Sequence, residues 1–429
     1  MLNKKFHRTD LHQVGIWYKC LRPFSDLCTT LSFQKVQVEG LENIPNDGSV
    51  IFAPNHCNTL MDALVVLRTR KGPTVFGARA DMFENPVAAK ILHSLKIVPM
   101  VRKRDGIRKV IRNLEVMEDI IEVLDESVPF CIFPEGTHRA MHSLLCSGKG
   151  VPGKGVLRIA LSANENLNKT IYVVPVGIEY GDYFRFASTS LVTFGKPVPI
   201  TEFRAENFDL QEAELYRAMS AVLLERMKGL ITYIPDDEEY AAKWAYTKIM
   251  TAGRKSHDLA ERLKANQEVI ANIDPSKLPA ALEFEEERKK ARISFKSLGY
   301  GCNSGRTLLK TLGLVLWLPL QILFGIADLP SIAVAEYLVA FKVKDKAFAN
   351  SLRTACSLII NQVLILLLAL ALILSGFSFW KVGIPALICM QFAPLAFYSG
   401  LEWYRVWLSD VRLLFRKDIR EKFDSIRNS

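Results

Sequence analysis

The stretch Ser49-Val50-Ile51-Phe52-Ala53-Pro54-Asn55-His56-Cys57-Asn58-Thr59-Leu60-Met61-Asp62-Ala63-Leu64-Val65-Val66-Leu67 passes from an apolar run, through a polar turn, into apolar residues at helical spacing. A short apolar run bounded by turn residues reads as a buried strand, so this is a strand-turn-helix unit. The same alternation fills the chain from Phe33 to Ile200. Strands are expected at 33–38, 49–54, 74–77, 128–133, 171–178 and 191–194, with helices at 61–70, 86–94 and 107–124. That order predicts a layered α/β domain. The segment 146–155, with Gly148, Gly150, Gly153 and Gly155 between Lys149 and Lys154, reads as an irregular or mobile loop.

On the amino-terminal side, Val14, Trp17, Tyr18, Leu21 and Phe24 share helical spacing, with Lys19 and Arg22 elsewhere on the turn. This predicts an amphipathic helix over 11–30, either an interfacial anchor or a helix packed on the α/β core. Beyond Glu206 the chain becomes charged and helical. Glu285 and Glu286 stand four residues before Lys289 and Lys290, the spacing of a solvated helix face. Apolar stretches follow at 311–341, broken at 328–330, and at 354–380 and 382–401. The last two are long enough to cross hydrocarbon, which takes about 20 helical residues. The first is ambiguous, because 331–341 is too short to cross alone and fits a re-entrant or kinked hairpin. Basic clusters flank these stretches: Lys296, Arg306 and Lys310; Lys342, Lys344, Lys346 and Arg353; Arg405, Arg412, Arg416 and Lys417. The positive-inside bias places all three on the cytoplasmic face and so predicts two hairpins. The expected organisation is an amphipathic helix (1–32), a catalytic domain (33–203), a charged helical region (204–305), a membrane region (306–405) and a basic tail (406–429).

The 429 residues carry 49% hydrophobic residues and a net charge of +10. With membrane segments present, that charge favours an anionic bilayer or phosphorylated substrates over nucleic acid. Eight cysteines without paired short spacing indicate a reducing compartment rather than a disulfide framework or a zinc site. The charged segment 1–10 is not followed by a signal-peptide pattern, so the domain is expected on the cytoplasmic side of an integral membrane protein.

Four blocks carry chemistry. His56 ends a strand and Asp62 enters the next helix, an arrangement in which a carboxylate orients an imidazole; taken alone, the pair also reads as a surface histidine and a capping aspartate. Phe133-Pro134-Glu135-Gly136-Thr137 follows an apolar strand, where Pro and Gly are common turn residues. Val173-Val174-Pro175-Val176-Gly177-Ile178 belongs to another strand. Ile97-Val98-Pro99-Met100-Val101-Arg102-Lys103-Arg104 leads an apolar segment into a basic run that could equally be a solvated face. Ester formation from an activated acyl donor needs a base, oxyanion donors and cations for a phosphate, and the blocks offer all three.

In order and spacing these blocks resemble the glycerophospholipid acyltransferases that make lysophosphatidate and phosphatidate, over 33–199. The resemblance implies that His56 takes the acceptor hydroxyl proton, that Asp62 holds its tautomer, and that no acyl-enzyme forms. It implies that Arg102 binds the acceptor phosphate, that Glu135 and Gly136 shape a glycerol pocket with Thr137 close by, and that Val174 and Pro175 line the acyl-donor side. The substrates implied are acyl-CoA or acyl carrier protein and glycerol-3-phosphate, lysophosphatidate or another lysophospholipid, with membrane lipids as partners and no cofactor. Two features depart from the common pattern. Five residues separate His56 from Asp62, as in a fungal and bacterial branch, so the turn must absorb an extra residue. Lys96 stands where a glycine is usual, which leaves Arg104, Arg139 and Lys154 as further phosphate partners. Cys57 beside His56 suggests a thiol nucleophile, but adjacent residues on a turn point apart. His93, His138 and His142 are too scattered for a metal. A noncatalytic lipid-binding protein on the same fold is the rival class; His56, Asp62, Arg102 and Glu135 argue against it.

Overall fold

The computed structural model describes residues 11–100, 107–145, 153–254, 258–376 and 379–428. The chain divides into two units, one of Met1–Thr29, Val38–Glu179 and Leu191–Ile231, the other of Thr30–Gln37, Tyr180–Ser190 and Thr232–Ser429.

Helix α1 (Ile16–Ser32) precedes strands β1 (Phe33–Glu39) and β2 (Ser49–Pro54), followed by α2 (Leu60–Arg68), β3 (Val75–Arg79), α3 (Pro86–Ser94), β4 (Ile97–Met100), α4 (Ile107–Asp125) and β5 (Phe130–Cys131). Then come α5 (Lys154–Asn166), β6 (Ile171–Tyr180), β7 (Ser188–Phe194), β8 (Val198–Pro199), α6 (Ile200–Glu206) and α7 (Glu212–Lys228). The sheet runs β1-β7-β6-β2-β5-β3-β4, with β8 antiparallel on β6. Strand β2 lies parallel between β5 and β6, with Phe52 opposite both Cys131 and Val174. All six of its residues are buried, as expected of a central parallel strand covered on both faces. Its carboxyl end leads directly into Asn55 and His56.

Three expectations need correction. The strand at 128–133 shrinks to β5, because Ser127 turns at φ 57° and the Val128 N–H bonds back to Val123, closing α4. The lead into the basic run is an edge strand, β4, where Pro99 costs no ladder bond toward a further neighbour. Of the loop read at 146–155, residues 146–152 lie outside the described residues. Lys154 and Gly155 open α5, started by Gly153 in the left-handed region and held by a stripe of Val156, Leu157, Ile159 and Ala160.

The second unit contains α8 (Tyr240–Thr251), α9 (Leu259–Ala271), α10 (Leu278–Ala291), α11 (Phe295–Gly299) and α16 (Lys417–Asn428). Ile249, Phe284, Leu298, Ile419 and Phe423 build their shared core. Glu285, expected on a solvated face, is buried at 3% exposure and bonded by Arg288 at 2.8 Å and Lys248 at 2.6 Å. Burial alone would raise the Glu285 carboxyl, but the Arg288 bond and the Lys248 charge overcome it and bring it to about 2. At Lys248 burial wins instead and lowers the ammonium. A depressed carboxyl stabilises the fold above its ordinary titration and loses that contribution as pH falls toward 2. Glu285→Gln should accordingly cost about 3–5 kcal/mol at pH 7 by stranding the cations. The gap in urea midpoint between wild type and variant should narrow from pH 5 to pH 3; a constant gap would show that the charge on Glu285 is irrelevant.

The unit also holds α12 (Ser304–Ala327), α13 (Leu329–Phe341), α14 (Phe348–Leu374) and α15 (Ile384–Phe415). Among the described residues α12, α14 and α15 are long and apolar enough to cross a membrane. The break falls at Asp328, as expected, but α12 starts at Ser304, ahead of the apolar stretch read from 311. Lys310 pairs with Asp410, Trp407 Nε1 donates to Thr311 Oγ1 at 2.8 Å, and Gln321 Nε2 donates to the Phe397 carbonyl at 2.9 Å, so α12 and α15 run antiparallel. Asn361 Nδ2 reaches the Met390 carbonyl at 3.2 Å between α14 and α15. Arg353 of α14 grips Glu336 of α13 with two bonds of 2.7 and 2.9 Å.

Candidate active site

Asn55 extends the β2 ladder beyond Pro54 with its side chain. Its Oδ1 accepts from the Ile178 N–H at 2.6 Å and its Nδ2 donates to the Ile178 carbonyl at 3.1 Å. The next residue, His56, is thereby fixed at the carboxyl end of this central strand. The chain then turns through Thr59 at φ 47°, a conformation rare outside glycine, before α2 begins. That strained turn absorbs the extra residue and swings Asp62, in the first turn of α2, back beneath His56.

Asp62 is fully buried, and its Oδ2 accepts from the Cys57 N–H at 2.8 Å and the Asn58 N–H at 2.7 Å. His56 Nδ1 lies 2.8 Å from the same oxygen. An oxygen that already takes two backbone N–H bonds serves as an acceptor toward the imidazole as well. Nδ1 must then carry the hydrogen, which leaves Nε2 as the basic nitrogen. The imidazole stacks on Phe133 with ring centroids 4.2 Å apart, and the His138 ring meets it edge-on at 5.6 Å.

Glu135 uses both of its carboxylate oxygens on the backbone. Its Oε1 accepts from the His56 N–H and its Oε2 from the Leu145 N–H, both at 2.7 Å. The Arg139 N–H closes the arrangement on the His56 carbonyl at 3.0 Å. Glu135 thus ties the catalytic-type turn to the loop after it, using both oxygens on backbone. Burial raises its carboxyl, against the lowering effect of those two bonds. Gly136 holds φ 63° in the intervening turn, where a side chain would be strained, and Thr137 lies half-buried beside it.

Val174 and Pro175 are buried in β6, opposite Phe52 and Ala53. They lie on the strand next to β2 in the sheet, beside the one that carries His56. Arg102 lies outside the described residues, as do Lys103 and Arg104. Cys57 is buried, and burial first, then the Asp62 charge, push its thiol well above the ordinary value. His142 and Glu179, 3.8 Å apart and both buried, form a second pair that the sequence reading did not bring together. Phe133 and Asn55 stood in the blocks already singled out; only their contacts were hidden.

Comparison with known proteins supplies the remaining observation. Residues 35–179 match the family model described as Acyltransferase, a span that holds all four blocks and bears out the resemblance drawn from them. Among solved structures, the 1-acyl-sn-glycerophosphate (LPA) acyltransferase from Thermotoga maritima is 25% identical with a TM-score of 0.36, covering 49% of this chain and 78% of that one. No curated protein matches the chain.

Proposed function

We propose that this chain, whose residues 35–179 match the Acyltransferase family model, transfers a fatty acyl group from acyl-CoA or acyl carrier protein to a hydroxyl of a phosphoglycerol acceptor, glycerol-3-phosphate or lysophosphatidate. The observation that carries this reading is the buried Asp62 holding His56 Nδ1 at 2.8 Å. Nε2 takes the acceptor hydroxyl proton as that oxygen attacks the thioester carbonyl. The tetrahedral adduct collapses, the carbon–sulfur bond breaks, and the leaving thiolate takes the proton from Nε2. The Asp62 carboxylate, hydrogen-bonded to Nδ1, stabilises the transient imidazolium. Glu135 keeps the turn in register, with Gly136 and Thr137 at the pocket wall, and Val174 and Pro175, on the strand beside β2, lie toward the acyl-donor side. Thiol release from acyl-CoA tests the reaction class. It should require the phosphorylated acceptor; equal release without acceptor would make the chain a thioesterase instead.

Arg102 is assigned the acceptor phosphate. Arg102→Ala should raise the acceptor KM far more than the donor KM, with Arg102→Lys recovering part of the loss because a point charge lacks the planar fork. An equal rise in both constants would make Arg102 structural.

For the membrane region we propose two hairpins, 304–341 and 348–415, with the domain, the connection 342–347 and the tail all on the cytoplasmic side. The antiparallel pairing of α12 with α15 and the basic clusters support it. With the exposed Cys20 and Cys389 replaced, cysteines at Lys344 and Ser425 in sealed vesicles should label from the same side as the domain. Labelling at Lys344 from the opposite side alone would defeat the arrangement.

A further inference from the structure

His142 and Glu179 take no part in the mechanism above, yet both are enclosed beside it, at 4% and 5% exposure. Polar side chains buried to this degree are normally held by partners. His142 Nδ1 stands 3.8 Å from Glu179 Oε2. Glu179 is also near enough to Cys57 to help raise that thiol, after burial and Asp62 and ahead of Glu135. The pair therefore adjoins the residue that follows His56.

Each member sits on a segment that grips the His56 turn. Glu179 follows Ile178 on β6, and the Ile178 N–H and carbonyl hold the Asn55 side chain at 2.6 and 3.1 Å. His142 lies between two anchors of the loop 136–145. The Arg139 N–H donates to the His56 carbonyl at 3.0 Å. The Leu145 N–H donates to Glu135, which accepts from the His56 N–H with its other oxygen, both at 2.7 Å. Asn55 is thus gripped from the strand and the His56 backbone from the loop. None of these bonds joins the strand to the loop, whereas His142 and Glu179 face each other across that gap. A general base works only while its nitrogen is aimed at the acceptor, and a misplacement of about 1 Å costs about a hundredfold in rate.

We propose that His142 and Glu179 are positioning residues for the acyl transfer, clasping the loop 136–145 to the end of β6 so that the two grips on the turn stay in one register and aim His56 Nε2. The proposal rests on the acyl-transfer reading, but the hold on His56 can also be read apart from turnover. Single glutamine variants strand the other member in the core. The deciding variant is therefore His142→Gln with Glu179→Gln, which leaves neither a buried imidazole nor a buried carboxyl without its partner. In lipid-reconstituted full-length protein it should unfold close to wild type, with kcat lower by about 10- to 100-fold and both KM values within about twofold. Glu179→Asp, which keeps a carboxyl, should recover most of the loss seen in Glu179→Gln. Diethyl pyrocarbonate followed by peptide mass spectrometry measures the reactivity of His56 without substrates. It should modify His56 several-fold faster in the double variant, because a loosened turn exposes the ring, and His12 at an unchanged rate. If the wild type transferred no acyl group while this difference held, the acyl reading would fail and the hold on His56 would stand. Wild-type kcat in the double variant of an active enzyme, His56 reactivity equal to wild type, or a loss of kcat that only follows the loss of folded protein would overturn the proposal.

Discussion

His56→Ala lowers turnover by about a hundred- to ten-thousandfold, the usual worth of general-base assistance, while thermal unfolding stays close to wild type. The two halves of this expectation rest on different observations. His56 is partly exposed and contributes one ring face to Phe133, so its loss removes little packing. Asp62 keeps its two backbone donors and is not stranded. What disappears is the only group placed to receive the acceptor proton in the assigned mechanism. Parallel kcat and unfolding measurements check this, and near wild-type turnover in the variant would take His56 out of the mechanism.

Asp62→Asn tests the same dyad from the other side. One amide oxygen cannot serve Nδ1–H, the Cys57 N–H and the Asn58 N–H as the carboxylate does, and the amide NH2 would favour the tautomer with its hydrogen on Nε2. Losing the correct tautomer costs about 10⁴ in kcat in Ser-His-Asp enzymes with intact geometry. A drop of about 10³ to 10⁴ is expected here, with the acceptor KM little changed. A merely structural Asp62, anchoring the start of α2, would lose stability and leave kcat per folded molecule near wild type.

How much of this was legible in the sequence depends on the range of the contact. The β2 run, the polar turn and the His56–Asp62 pair are local, and their reading carried over with the turn absorbing the extra residue as required. Strand β4 and helix α5 were harder, because Pro99 and the glycines before Val156 are breakers by local rules that the edge position and a left-handed cap overrule. Glu135 shows a different limit. Its block marked it, yet the partners that define its task, the N–H groups of His56 and Leu145, are set by how the loop folds back. Glu285 has the same explanation: a charged residue reads as solvated until burial and distant partners are known. The break at Asp328 was visible as composition, whereas the full length of α12 was not, since Ser304 to Lys310 is polar and helical at once.

The central claim is that the dyad moves an acyl group onto a phosphorylated glycerol. The most direct measurement mixes the purified, lipid-reconstituted protein with isotopically labelled acyl-CoA and, separately, glycerol-3-phosphate and lysophosphatidate, with His56→Ala in parallel, and weighs the products by mass spectrometry. A product heavier than one acceptor by one labelled acyl chain, formed by the wild type and lost in His56→Ala, is the predicted result. No acylated product with either acceptor, using acyl-CoA or acyl carrier protein as donor, or equal product from His56→Ala, would contradict the assignment.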